Sequence, residues 1–321
     1  MHYALSYKTK QFFFVLIKLS IVVGAGYFIY NKLVHNSDLN FRSFIQFTVK
    51  NDIFSFKNIV FLVLLSIFNW FFEILKWQYL ASEVKNISFK NALAQSLGAL
   101  TASLFTPNRI GEYGAKAMYY TSRFRKKIML TNLISNMLQM SITVLLGGIG
   151  FSIFVQQHNI TLAYYKIVPF LVVVFCITVI ILLGLQHNRF KISGFSLKRI
   201  KTFLISFSKQ KLYLGFLLSL ARYLVFSFQF FIILISFKVD IAYTEAMVVI
   251  TSIYILASII PSIFIFDVVV KGGIAVYLFS YLQISELIVL CSVTLMWLFN
   301  FVFPSIFGSF YVLHFKLPKN N

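Results

Sequence analysis

Acidic residues are scarce in this chain. Nine Asp and Glu stand against 29 Lys and Arg in 321 residues, and the charged types together make up only 12%. A soluble domain carries about 25%, so too little polar surface remains to coat a body dissolved in water. Cysteine is nearly absent: Cys176 and Cys291 both lie in apolar runs, without a partner at metal or redox spacing, which excludes a disulfide framework and a zinc site. The histidines (His2, His35, His158, His187 and His314) are too scattered to define a metal cluster. No phosphate-cradling glycine loop and no nucleophile triad is legible. The sequence therefore calls for no cofactor.

What is abundant is apolar: 59% of the residues are hydrophobic, in runs such as Ile59 to Phe72, Ile167 to Leu185 and Ile288 to Phe303. Runs of that length cross hydrocarbon as helices. Full spans are expected at about 12–30, 59–81, 129–155, 166–185, 212–237 and 286–312. Lys18 interrupts the first, and no small-residue cleavage site follows it, so it reads as a span and not as a signal peptide. Between the first two spans, Leu39, Phe41, Phe44, Ile45 and Phe47 form the apolar face of an expected interfacial helix entered through Ser37 and Asp38. Two further stretches, Phe89 to Phe105 and Tyr243 to Ile260, each run into a proline (Pro107, Pro261) and then continue. These are broken helices, either re-entrant hairpins or tight pairs of short spans. The expected fold is thus an all-α polytopic membrane protein, one domain over residues 1–321.

The net charge of +20 needs no nucleic acid, because cytoplasmic loops of membrane proteins collect Lys and Arg and meet anionic headgroups there. Gln186 to Lys211 carries seven basic residues and no acid, and Arg123 to Lys127 carries four more, whereas Gln156 to Lys166 carries one. Both basic loops, and with an even number of crossings both termini, are expected in the cytoplasm. The 31–58 segment runs against this pattern, since it falls outside yet carries Lys32, Arg42, Lys50 and Lys57.

A shift of 154 residues lays Ile87 on Ile241, Phe89 on Tyr243, Ala92 on Ala246 and Pro107 on Pro261; one inserted residue then aligns Glu112 with Asp267 and Lys116 with Lys271. Two repeats, about 59–155 and 212–312, follow. Three spans between the broken helices make them enter from opposite faces, an inverted repeat of the kind transporters use. The same places are where charge enters apolar sequence: Arg109, Glu112 and Lys116 between Asn91 and Ser122, and Asp267 and Lys271 between Ala246 and Ser285. A charge at the bilayer centre costs at least about 2.5 kcal/mol. Two readings stand side by side: acid and base one turn apart neutralise each other along one helix face, or they converge on a wet site for a polar substrate. Glu73 and Arg222 are the deepest of the remaining charges and are expected to support that site from behind.

The segment SLFTPNRIGEYGAKAMYY, residues 103–120, resembles the first signature of the lysylphosphatidylglycerol synthase transmembrane-region family, a proline followed by Arg-x-Gly-Glu and a basic residue about one turn later. Pro107, Arg109, Gly111, Glu112 and Lys116 carry the match. Residues 259–279 are similar to the second signature, with Asp267 in place of Glu and with Gly272 and Gly273 after Lys271 instead of glycines between Pro261 and the acid. The resemblance implies a bacterial inner-membrane protein that handles lipids. In multiple peptide resistance factors a similar region acts as a flippase joined to an aminoacyl-transferase domain, for which these 321 residues leave no room. Relatives that sit beside glycosyltransferases imply such a partner. The expected function is translocation of an anionic or polyprenyl-phosphate lipid, not catalysis, bound at Pro107, Arg109, Gly111, Glu112, Lys116, Pro261, Asp267 and Lys271. An intramembrane transferase using Glu112 or Asp267 as base, and a scaffold for a glycosyltransferase, remain the other classes.

Overall fold

A computed structural model describes residues 55–104, 106, 109–160, 191–192, 195–259 and 264–318, with a few isolated positions before residue 51. The expected spans at 12–30 and 166–185, the interfacial helix, Pro107 and Pro261 lie outside the described residues. Within them the chain is helical: α1 (Phe56–Ala81), α2 (Phe89–Ser103), α3 (Gly111–Met118), α4 (Ser122–Gln157), α5 (Leu197–Ser206), α6 (Lys209–Ser236), α7 (Tyr243–Ile259), α8 (Phe264–Ser280), α9 (Glu286–Trp297) and α10 (Phe303–Leu313). A π-turn, Leu298–Val302, joins α9 to α10. Two short strands, Lys191–Ile192 and Phe195–Ser196, pair antiparallel before α5.

Four helices, α1, α4, α6 and the continuous α9–α10 rod, are long and apolar enough to cross a membrane. Each matches an expected span. At 1.5 Å per residue the 26 residues of α1 reach about 39 Å, more than the roughly 30 Å of hydrocarbon. The first broken stretch is broken here too. Ser88 caps α2 by accepting from the Asn91 amide at 3.3 Å. After α2 ends at Ser103, Thr106 ties the turn together: its hydroxyl donates to the Ser103 carbonyl and accepts from the Gly111 amide, at 2.8 and 2.9 Å. Glycine is required at 111, because a Cβ there would stand 2.8 Å from the Thr106 methyl and 3.3 Å from the Ala102 carbonyl. The second stretch contains α7 and α8, and the residues between them lie outside the described ones.

Packing joins the halves in pairs: α1 lies along α6, α4 along α7, and α2 along α10. Small residues let the last two pairs approach closely, as is usual between helices in lipid. On α4, Gly147 faces the Thr251 carbonyl and Ile255, and Gly150 faces Val248 and Thr251. On α10, Gly308 faces the Leu97 carbonyl and Thr101, and the Thr101 hydroxyl donates to the Ser305 carbonyl at 2.8 Å. Large apolar side chains such as Phe68, Val144, Ile149, Phe303, Ile306 and Phe307 point outward, the arrangement expected where the solvent is hydrocarbon. Polar groups lie inside.

The two ends differ in charge. The Lys211–Glu83 ion pair, 3.1 Å, joins the turn after α1 to the first turn of α6, and at this end lie Lys85, Arg123, Arg125, Lys126, Lys127, Lys209 and Lys316. At the other end His158 and Tyr281 stack at 5.2 Å beside Asp240 and Glu245.

Candidate functional site: a buried ionic cluster

The α2–α3 break delivers three expected residues to one point. Glu112, in the first turn of α3, binds Lys116 one turn on at 2.8 Å and Arg109 one turn back at 2.9 Å. Pairing along one helix face is therefore real. It does not close the site, because Lys116 is shared: its ammonium also donates to the Asn132 side chain of α4 at 2.8 Å and lies 4.0 Å above the Trp77 ring. Trp77 in turn donates to Gln95 at 2.8 Å, and Gln95 accepts from the Tyr120 hydroxyl at 3.0 Å.

Through Trp77 the cluster reaches α1. Glu73 binds Lys76 at 2.7 Å and Arg222 of α6 at 2.6 Å; the charge of Lys116 acts on it as well, and that of Glu73 acts on Glu112. Glu73 and Arg222 thus belong to the same ionic cluster. Arg222 also donates to Asn69 at 3.1 Å, Asn69 donates to Asn300 at 2.8 Å, and Asn300 donates to Gln229 at 2.7 Å. Arg222 and Asn300 each stand roughly 20 Å from either end of their helices. Asn300 lies in the π-turn, where the loosened ladder leaves its backbone carbonyl to accept from Trp70 at 3.1 Å. Such turns are frequent at functional sites.

The charge does not balance. Among the described residues the cluster holds two carboxylates, Glu73 and Glu112, against four cations, Lys76, Arg109, Lys116 and Arg222. Lys76 and Lys116 are each only 1% exposed, whereas the Arg109 and Arg222 side chains keep 26% and 20%. The surplus positive charge therefore faces the open side. Arg109 is unusual twice over: its φ of 56° is left-handed backbone, which costs a non-glycine residue of order 1 kcal/mol, and its Nε is buried without an acceptor. Among the described residues, strain and an unpaired donor thus fall together on Arg109.

Lys271, the second expected base, lies on α8 and faces Phe301 at 5.8 Å. Phe301 also packs against the apolar cluster that contains Trp70 and Trp77. Asp267 falls within α8, but its side chain lies outside the described ones, as do Pro107 and Pro261. Asn69, Gln95, Asn132 and Asn300 escaped the sequence reading. Their only signal is that they are amides inside apolar runs.

A family model described as Lysylphosphatidylglycerol synthase TM region matches residues 15–308. The chain belongs to this family. Neither a curated protein nor a solved structure matches it. Membership in the lysylphosphatidylglycerol synthase TM region family, with the apolar helices, makes the chain a multi-pass membrane protein with a membrane lipid-related role.

Proposed function

We propose that the chain translocates a lipid with an anionic, phosphate-bearing head, and that the head passes through the cluster of Arg109, Glu112, Lys116, Glu73 and Arg222. One observation carries this reading: among the described residues the cluster in the apolar interior has two positive charges to spare, and its arginines stay partly open. A purely structural knot gains nothing from surplus charge, since each uncompensated ion there costs at least about 2.5 kcal/mol. An arriving phosphate supplies the missing counter-charge and gives a guanidinium the paired acceptors it is shaped for.

The inverted repeat belongs to this proposal. The shift of 154 that aligns the sequences carries Leu97 to Thr251 and Thr101 to Ile255, and these are the residues met by Gly308 and Gly147 at the two helix crossings. Matching contacts made crosswise between the halves are what a two-fold axis in the membrane plane produces, and such an axis suits alternating access. The basic end is assigned to the cytoplasm of a bacterial inner membrane by its Lys and Arg. Lys271, the second base, which lies over Phe301, is proposed to serve the same passage from the other half.

The test is Arg109→Gln in proteoliposomes, scored by movement of a fluorescent phosphatidylglycerol between leaflets. The proposal expects lost movement with wild-type insertion and melting temperature. Undiminished movement would dismiss it and favour a scaffold for a partner enzyme.

A further inference from the structure

The two lysines have unlike surroundings. Lys116 is bound by Glu112 and Asn132 and lies over Trp77. Lys271 instead borders a cavity of about 70 Å³ between α6, α7, α8 and α9, walled by Phe226, Phe230, Tyr254, Trp297 and Phe301. A water needs about 10–15 Å³ of such space, so the cavity has room for a small head or the start of a chain. The repeat explains the contrast. Gly147 and Gly308 are 161 residues apart, and the same shift carries Asn132, which binds Lys116, to Val293, which lines the cavity. The amide that binds the first lysine thus corresponds to a residue of the apolar wall beside the second.

One wall residue carries an unused donor. Among the described residues the Tyr254 hydroxyl is buried without a hydrogen-bond partner, and so is that of Tyr223, whose ring meets the Tyr254 ring at 5.6 Å. Leaving a buried hydroxyl unpaired costs about 1–3 kcal/mol, and such a residue lining a cavity together with a lysine calls for an acceptor-rich ligand. An ammonium has three N–H donors, so Lys271 can take an anion in addition to its existing contacts. We infer that the Lys271 cavity binds a single-chain anionic head, an alkyl phosphate monoester, with the phosphate on Lys271 and Tyr254 and the chain along Phe226, Phe230 and Trp297. This deepens the lipid-handling reading and rests on it for the source of the ligand. It makes the second half a binding pocket, where the first is a charged passage.

Binding is measured on detergent-solubilised full chain with radiolabelled dodecyl phosphate, against inorganic phosphate and dodecyltrimethylammonium. Wild type should retain dodecyl phosphate and neither of the others. Tyr254→Phe should weaken retention at least roughly tenfold, the worth of a hydrogen bond to a charged group, while its melting temperature holds or rises because an unsatisfied hydroxyl has gone. Lys271→Gln should abolish retention. Equal retention by wild type and both variants would overturn the site. Preference for dodecyltrimethylammonium would reassign it as an aromatic cage for cations, and equal retention of inorganic phosphate would remove the lipid. No translocation enters this assay. Protein that retains dodecyl phosphate but moves no lipid keeps the pocket and loses the translocation reading; protein that moves lipid without retaining the probe loses only the pocket.

Discussion

Glu73 is the carboxylate on which Lys76 and Arg222 converge, at 2.7 and 2.6 Å, and with its side chain 8% exposed it has little water to fall back on. Glu73→Gln keeps its volume and removes its charge. Two cations then share a neutral amide, and the cluster's surplus rises from two charges to three. Breaking a buried pair from one side costs about 3–5 kcal/mol. At about 2 °C per kcal/mol for a chain of this size, the melting temperature in detergent should fall by roughly 6–10 °C, read by gel filtration of heated samples. Adding Lys76→Met removes the cation that is 1% exposed and leaves Arg222, which reaches partly open space and still holds Asn69. More than half of the loss should return. Residues in one network couple non-additively, and this recovery is that coupling. A single variant melting within a degree of wild type would refute the reasoning, as would a double variant that melts lower than the single.

Gly308→Leu should abolish folded protein in the membrane, because its side chain would drive into the Leu97 carbonyl and Thr101, whereas Gly148→Leu, with nothing within 4 Å of its added Cβ, should be tolerated at wild-type abundance. Arg109→Gly relieves a φ of 56° and should leave the melting temperature equal or higher while stopping lipid movement; loss of both would mean that Arg109 serves the fold alone. A cysteine at Gln283, exposed at the weakly charged end, should label from outside intact cells, and one at Ser122, exposed at the basic end, only after the cytoplasm is opened. The reverse pattern would invert the orientation.

Much of the architecture was legible because single helices declare themselves. Apolar runs at 59–81, 129–155, 212–237 and 286–312 became α1, α4, α6 and the α9–α10 rod. The Glu112–Lys116 pair was readable for the same reason, since both partners lie on one turn. Glu73 with Arg222 was not, because the 149 positions between them are closed only by the packing of α1 on α6. Nor was Asn300: an amide in an apolar run can face any neighbour, and nothing in Leu298–Val302 announces a π-turn.

The most direct measurement of the central claim varies the lipid and leaves the protein alone. In proteoliposomes of wild-type chain, transfer between leaflets is compared for fluorescent phosphatidylglycerol, phosphatidylcholine and diacylglycerol carrying the same acyl chains. A passage with two surplus positive charges predicts movement of the anionic lipid well above protein-free vesicles, with the zwitterionic and neutral lipids at the protein-free rate. Equal movement of all three would contradict it.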